Sequence, residues 1–268
     1  MRNGFGKIAV TAVSDAGYRT VRRLLDGGFD ADAYLPGGIA AHCPPALSVH
    51  RFDDGVVALT ERLFGSHDGL VYVMPTGIVV RAVAPFIKDK RTDPAVVTVD
   101  VGGRWAIATL SGHEGGANEL AARVARLLRA EPVITTSAEA VKTLVAGVGC
   151  GKGVPENAIA DAVDAALATA GRSPEELRLV ATVDAKEHEA GLLAFCESRT
   201  LPLRVVSREA IRSMRIRCNE SAFVRKTLGI GAVAEPCALL GGTKTELLLE
   251  KQVYRRVTVA LAVEHPEW

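Results

Sequence analysis

Short apolar, β-branched runs alternate along the chain with segments whose apolar positions recur at helical spacing. Residues 8–13 are the first such run, and behind it Tyr18, Val21, Leu24 and Leu25 share one helix face. The same reading predicts strands over 70–74, 95–101, 105–110, 133–136, 144–148, 179–183, 203–206 and 257–263. Two helices are well marked. One runs over 117–129 with Leu120, Val124, Leu127 and Leu128 on one face, the other over 155–169 with Ile159, Val163 and Leu167, and Pro155 suits its first turn. Ser173-Pro-Glu-Glu176 combines an N-cap, a first-turn proline and a capping-box glutamate, which predicts a further helix or helical turn. The alternation predicts an α/β protein of two lobes with largely parallel sheets flanked by helices. The boundary falls near residue 143, giving domains 1–143 and 144–268.

Composition narrows the function classes. With 48% hydrophobic residues in 268, the chain can bury a substantial core. Lysine plus arginine total 32 against 31 acids, and a net charge of +1 lacks the basic excess that nucleic acid binding calls for. Five cysteines, at 43, 150, 196, 218 and 237, form no C-x-x-C pair, so neither a disulfide framework nor a cysteine zinc site is expected. The start of the chain lacks the basic, apolar and small-residue succession of a signal peptide, and no apolar run approaches the ~18 residues of a membrane span. A cytoplasmic protein without membrane contact is the expectation. The polar runs 89–93 and 212–219 read as solvated surface.

The densest chemistry lies in Ser111-Gly-His-Glu-Gly-Gly-Ala-Asn118, between a predicted strand and the helix that carries Glu119. Polar groups at the carboxyl end of a strand occupy the edge where open α/β sheets usually bind ligands, and the free N–H groups of a helix start favour anions. His113 suits acid or base chemistry near neutrality, with Glu114 or Glu119 to orient it or share the task. Ser111, Gly112, Gly115, Gly116 and Asn118 are substrate-contact candidates, since glycines let a ligand approach the backbone. A tight turn capped by Ser111 or Asn118 is the alternative. The segment is neither H-E-x-x-H nor G-x-S-x-G.

A second segment, Met74-Pro-Thr-Gly-Ile-Val-Val-Arg81, could seat an anion through Thr76, Gly77 and Arg81, with Lys88 adding charge downstream. A third, Gly147-Val-Gly-Cys-Gly-Lys-Gly153, superficially resembles a phosphate loop but lacks the Walker spacing; Gly149, Gly151 and Lys152 remain candidates for generic anion contact. Cys150 reads as a small buried residue. Gly229-Ile-Gly-Ala-Val-Ala234 fits the relaxed dinucleotide pattern in the wrong context and predicts a turn into a helix around 235–240. Asp184 follows a predicted strand as a possible polar contact, with Lys186, Glu187 and His188 behind it in what could equally be salt-bridged surface.

Taken together, MPTGIVVRAVAPFIKDKRTDPAVVTVD (74 to 100), LSGHEGGANELA (110 to 121) and PVITTS (132 to 137) resemble the N-terminal half of the CbiG family of cobalamin biosynthesis proteins. VAGVGCGKGV (145 to 154), ATVDAKEHEAGLLAF (181 to 195), LPLRVVS (201 to 207) and GIGAVAEPCALL (229 to 240) resemble its C-terminal domain, which is also similar to CobE. One departure is a connector of only a few residues after Thr135-Thr-Ser137, where family members usually carry a longer segment. The resemblance implies cobalt-precorrin-5A hydrolase activity with release of acetaldehyde on a tetrapyrrole-derived substrate. Cobalt then belongs to the substrate and no cofactor is needed. With the charge and hydropathy read above, no nucleic acid or membrane partner is expected, and a homodimer or transient contact with enzymes of the cobalamin pathway is possible. A non-catalytic carrier of the corrinoid intermediate or partner protein, and a nucleotide-dependent enzyme, are the rivals.

Overall fold

The computed structural model describes residues 6–44, 48–214 and 222–265, without the side chains of residues 222 and 223. Cys218 and residues 215–219 of the second polar run lie outside them. The chain divides into two compact units, Met1–Thr136 and Ser137–Trp268.

The first unit runs β1 (Ile8–Ala12), α1 (Asp15–Asp26), β2 (Asp32–Pro36), α2 (Gly37–Ala40), β3 (Val49–Phe52), α3 (Gly55–Phe64), β4 (Gly69–Val73), α4 (Thr76–Val83), β5 (Ala95–Val99), β6 (Trp105–Leu110), α5 (Ala117–Leu128) and β7 (Glu131–Val133). Among the described residues these strands form one seven-stranded sheet in the order β3-β2-β1-β4-β5-β6-β7. Every residue of β1, β4 and β5 is buried, as expected of parallel strands covered on both faces. On one face Val10, Val71 and Val97 pack with Leu24 of α1 and Leu120 and Val124 of α5. On the other, Leu70, Tyr72 and Val96 pack with Leu59 and Leu63 of α3 and Val79 and Val83 of α4.

β1 to β5 are mutually parallel, but β6 is antiparallel to β5, pairing Leu110 with Val96 and Ala106 with Val99. The reversal is made by a tight turn at Asp100. Its Oδ1 accepts from the N–H groups of Arg104 (2.6 Å) and Trp105 (2.8 Å), and Gly103 adopts φ +67. β7 runs parallel to β6 and so also against the main direction.

The second unit comprises α6 (Ser137–Ala140), β8 (Leu144–Cys150), α7 (Glu156–Thr169), β9 (Leu177–Val183), α8 (Ala190–Ser198), β10 (Leu203–Val206), α9 (Arg208–Ser213), α10 (Ala222–Leu228), α11 (Ala234–Leu240), β11 (Thr245–Tyr254) and β12 (Val257–Glu264). The five strands lie in the order β10-β9-β8-β12-β11, with β8, β9 and β10 parallel and β12 antiparallel to both its neighbours. α7 and α8 cover one face through Ile159, Val163, Leu192 and Phe195. α11 lies on the other, where Cys237 meets Val145 and Leu179 and where Ala234 and Ala238 meet Ala260.

The expected α/β class with largely parallel sheets is what forms. Pro155 caps α7 from outside rather than opening it, and Ser173-Pro-Glu-Glu176 closes a capping box on a single 3-10 turn. The strand expected over 133–136 lies instead at Glu131–Val133, after which the chain leaves the sheet. β2, β3 and β11 were not foreseen. No helix among the described residues is long and apolar enough to cross a membrane.

Gly147 shows how closely α11 approaches the second sheet: a Cβ there would run into the carbonyl of Ala234 and the amide of Ala238. Both obstacles are backbone, so relief requires moving the helix. Gly147→Ala is therefore expected to destabilise the second unit by about 3 kcal/mol, read as a lowered urea midpoint. An unchanged midpoint would show that α11 does not dock this tightly.

Candidate functional site

The direction of β6 decides where the candidate residues go. The loop from Ser111 to Gly116 leaves the carboxyl end of β6, but that end lies beside the start of β5, so the loop sits at the amino edge of the parallel strands. Thr76 and Gly77 follow β4 and lie at the opposite, carboxyl edge. The five residues of β4 separate the two edges by about 16 Å at ~3.3 Å per residue. The expectation that the Ser111 loop occupies the usual carboxyl-edge crevice is corrected accordingly.

Three segments converge at the amino edge. Residues 88–93 lead into β5, and there Lys90 pairs with Glu114 while the carbonyl of Asp93 lies against Gly115. The chain leaving β7 brings Thr136 alongside, where Asn118 Nδ2 donates to its Oγ1 at 2.9 Å. The Ser111 loop lies between them. Its geometry is set by residues in the left-handed region at both ends, Ser111 at φ 59 and Gly116 at φ 84. The carbonyls of Ser111 and Gly112 then accept from the N–H groups of Ala117 and Asn118, so the loop closes the amino end of α5. Gly112 has no room for a side chain: a Cβ would stand 2.6 Å from Thr136 Cγ2 and 3.0 Å from Asn118 Oδ1.

This arrangement sorts the loop residues. His113, Glu114 and Glu119 are exposed, whereas Ser111 and Asn118 are buried. Among the described residues, the amide N–H groups of 113 and 115 have no carbonyl partner. An exposed imidazole beside unpaired amides can move a proton and steady an oxyanion. The hydrogen bond from Lys90 holds the Glu114 carboxyl below its usual range, so near neutrality Glu114 is a carboxylate that can accept a proton. Lys88 is exposed, and its backbone N–H donates to Asp93 Oδ2 at 2.9 Å.

The remaining candidates of the first unit lie apart from this cluster. Arg81 is exposed on α4 and folds back, Nη1 donating to the Gly77 carbonyl at 2.9 Å. In the second unit, Gly149 is buried within β8, where a Cβ would meet Thr258 Oγ1 and Val233. Gly151 donates its N–H to the Arg256 carbonyl at 2.9 Å, and Arg256 Nη2 donates to the Lys152 carbonyl at 3.0 Å. This guanidinium fills the space a side chain at 151 would need, which leaves the exposed Lys152 side chain as the group of that loop best placed to meet an anion. Glu189 holds the next residue, accepting from the Gly153 N–H at 3.0 Å and from Lys186 at 2.9 Å. Asp184 accepts from Arg208 through both its backbone N–H (3.2 Å) and its Nε (2.8 Å). Burial pushes the Cys150 thiol up, away from nucleophilic character. Among the described residues no group of three or more His, Cys, Asp or Glu side chains is placed to hold a metal ion.

Reading the sequence missed Thr136 and Arg256 and weighed Lys90 only as one cation of the run from Lys88 to Asp93. Thr136 lies within a quoted motif, and its hydroxyl was the available signal; Lys90 and Arg256 gave none that set them apart from other surface cations. Lys90 has a measurable role. A depressed carboxyl pKa means that the Lys90–Glu114 attraction is present above the ordinary glutamate pKa and fades as pH falls through the folded value. In Lys90→Met, NMR titration of the Glu114 carboxyl is expected to move to higher pH; an unmoved titration would show that the pair does not form.

Comparison with known proteins bears on most of the chain. Residues 58–139 match the family model described as Cobalamin synthesis G N-terminal, and residues 144–262 match Cobalamin synthesis G C-terminus. A cobalt-precorrin-5A hydrolase of Priestia megaterium is 41% identical over 139 residues, 52% of this chain and only 37% of that protein. A cobalt-precorrin-5A hydrolase of Salmonella typhimurium is 27% identical over 306 residues, covering 80% of this chain and 87% of that protein. Protein CobE of a Sinorhizobium species is 35% identical over 121 residues, 44% of this chain and 79% of that protein. The first matched segment ends three residues past the boundary between the compact units and the second lies within the second unit, and the chain carrying both belongs to the cobalamin synthesis G family.

Proposed function

We propose that the chain is a cobalt-precorrin-5A hydrolase: water opens the δ-lactone formed by the ring A acetate, and the two-carbon unit at C20 leaves as acetaldehyde, giving cobalt-precorrin-5B. The two relatives of that name support the reading. The observation that carries it is the convergence, at one sheet edge, of exposed His113, unpaired loop amides and the Lys88 and Lys90 cations.

In this reading His113 takes a proton from water as its oxygen adds to the lactone carbonyl, and the loop amides stabilise the oxyanion. The ring C–O bond then breaks as His113 returns its proton to the departing oxygen, leaving a carboxylate and a hydroxyethyl group made of C20 and its methyl. Glu119 or Glu114 removes the hydroxyl proton, C20 becomes the carbonyl carbon of acetaldehyde, and the bond from C20 to the macrocycle breaks with its electron pair and a proton passing to the ring carbon left behind. Gly112, Gly115 and Gly116 let the macrocycle approach the backbone. Lys88 meets a substrate carboxylate, while Thr76, Gly77 and Arg81 serve groups further from the reacting carbons, and Lys152 and Asp184 are the polar groups the second unit offers to a substrate. Cobalt enters as part of the substrate, so the reaction calls on no cofactor of the protein's own. The same reading puts the protein in the cytoplasm, as a homodimer or in transient contact with other enzymes of the pathway.

The match to CobE over 79% of that protein favours a second reading, a carrier that binds the corrinoid intermediate without turning it over. Anaerobic incubation with cobalt-precorrin-5A separates the two. Acetaldehyde release with the matching loss of corrinoid mass is expected, and tight binding without release would favour the carrier. In His113→Ala the rate is expected to fall by at least ~100-fold, the usual lower scale of a general base; near-normal turnover would exclude His113 from that role.

A further inference from the structure

Two polar side-chain atoms of the family loop are enclosed by protein and have no protein partner: Ser111 Oγ and Asn118 Oδ1. Their residues are only 5% and 8% exposed. A buried oxygen left unpaired is destabilising, and here two stand on one six-residue loop and the helix it caps. Ser111 is held in the left-handed region with its Cβ against Gly115, and the Asn118 amide is fixed by its bond to Thr136. That bond presents Oδ1 over Gly112, where only a glycine leaves space.

The pair has complementary capacity: the hydroxyl can donate and accept, and the amide oxygen accepts. Because both atoms are closed off from bulk solvent, what joins them is small and neutral, and a substituent of a macrocycle does not fit that description. We propose that Ser111 and Asn118 together hold one enclosed water molecule, and that Thr136 is the positioning residue that aims the amide at it. Water suits such a seat because it both donates and accepts, and enclosed waters of this kind join otherwise unpaired groups. The water then ties the first residue of the loop to the first turn of α5, across the segment that carries His113 and Glu114. Ser111 and Asn118 become positioning residues on this account, not the substrate contacts expected from the sequence.

Two measurements on the full chain test this. A crystal structure resolving ordered solvent is expected to show a water within hydrogen-bond distance of both Ser111 Oγ and Asn118 Oδ1. Its absence, or an amide turned with Oδ1 toward Thr136, would overturn the proposal. The second measurement rests on the hydrolase reading and uses cobalt-precorrin-5A. Thr136→Val, which keeps the shape and removes the hydroxyl, is expected to lower kcat at least tenfold with KM changed less than twofold, and Thr136→Ser to restore it. An equal loss in Thr136→Ser, a rise in KM matching the fall in kcat, or wild-type kinetics in Thr136→Val would each refute the positioning role. If the wild-type chain releases no acetaldehyde, the hydrolase reading fails while the crystallographic result still decides the water.

Discussion

Asp100 and the four residues after it hold the first unit's chemistry in place by reversing the chain. Its carboxylate gathers the amides of Arg104 and Trp105, and Gly103 turns the backbone through the left-handed region. Without the reversal β6 would end at the same edge as β4, and the Ser111 loop would lie near Thr76 and Gly77. With it, β6, α5 and β7 form a counter-running block, and the loops that leave β6 and β7 meet the residues entering β5. Residues far apart in sequence, Lys90, His113 and Thr136, are neighbours because one strand runs backward.

The second unit uses its glycines for a different purpose. Gly147 lets α11 lie on β8, and Gly191 lets α8 approach the backbone of Val154 and Pro155, whose loop precedes α7. The phosphate-loop look of residues 147–153 is thus mostly the imprint of helices packed unusually close to a strand and its following loop, with Arg256 filling the remaining space. A glycine-rich segment at a strand end reports close approach, and the approaching group can be a helix or a guanidinium as readily as a ligand.

Much of the fold was legible because burial leaves a periodic trace. β1, β4, β5, β8 and β9 are almost wholly buried and read as predominantly apolar runs, and α5 and α7 display their core faces at helical spacing. β2 and β3 are short and half exposed, and β11 is an edge strand whose three consecutive leucines and two register shifts break any regular polar–apolar alternation, so their traces are faint. Strand direction leaves no periodic trace at all. It was nevertheless recoverable: the few residues joining β5 to β6 cannot form a parallel crossover, which needs a dozen or so. At the site, the motif residues were visible, but their exposure was not. Nothing in Ser-Gly-His-Glu-Gly-Gly-Ala-Asn indicates that the histidine faces out while the serine and asparagine turn in, since that depends on Thr136 arriving from the end of another strand.

The strand order of the second unit bears on its biosynthesis. β8 is central, but its partner β12 follows more than a hundred residues later, and the loop behind β8 is latched by Arg256 from the same late hairpin. A nascent chain on the ribosome therefore carries β8 with one edge unpaired until the final hairpin emerges, whereas the first unit's sheet is complete once β7 has been made. An unpaired central strand of seven apolar or small residues is a site for misassembly. The interval between translating Cys150 and Val257 is thus a window of vulnerability that chaperone binding or translation speed can lengthen or shorten.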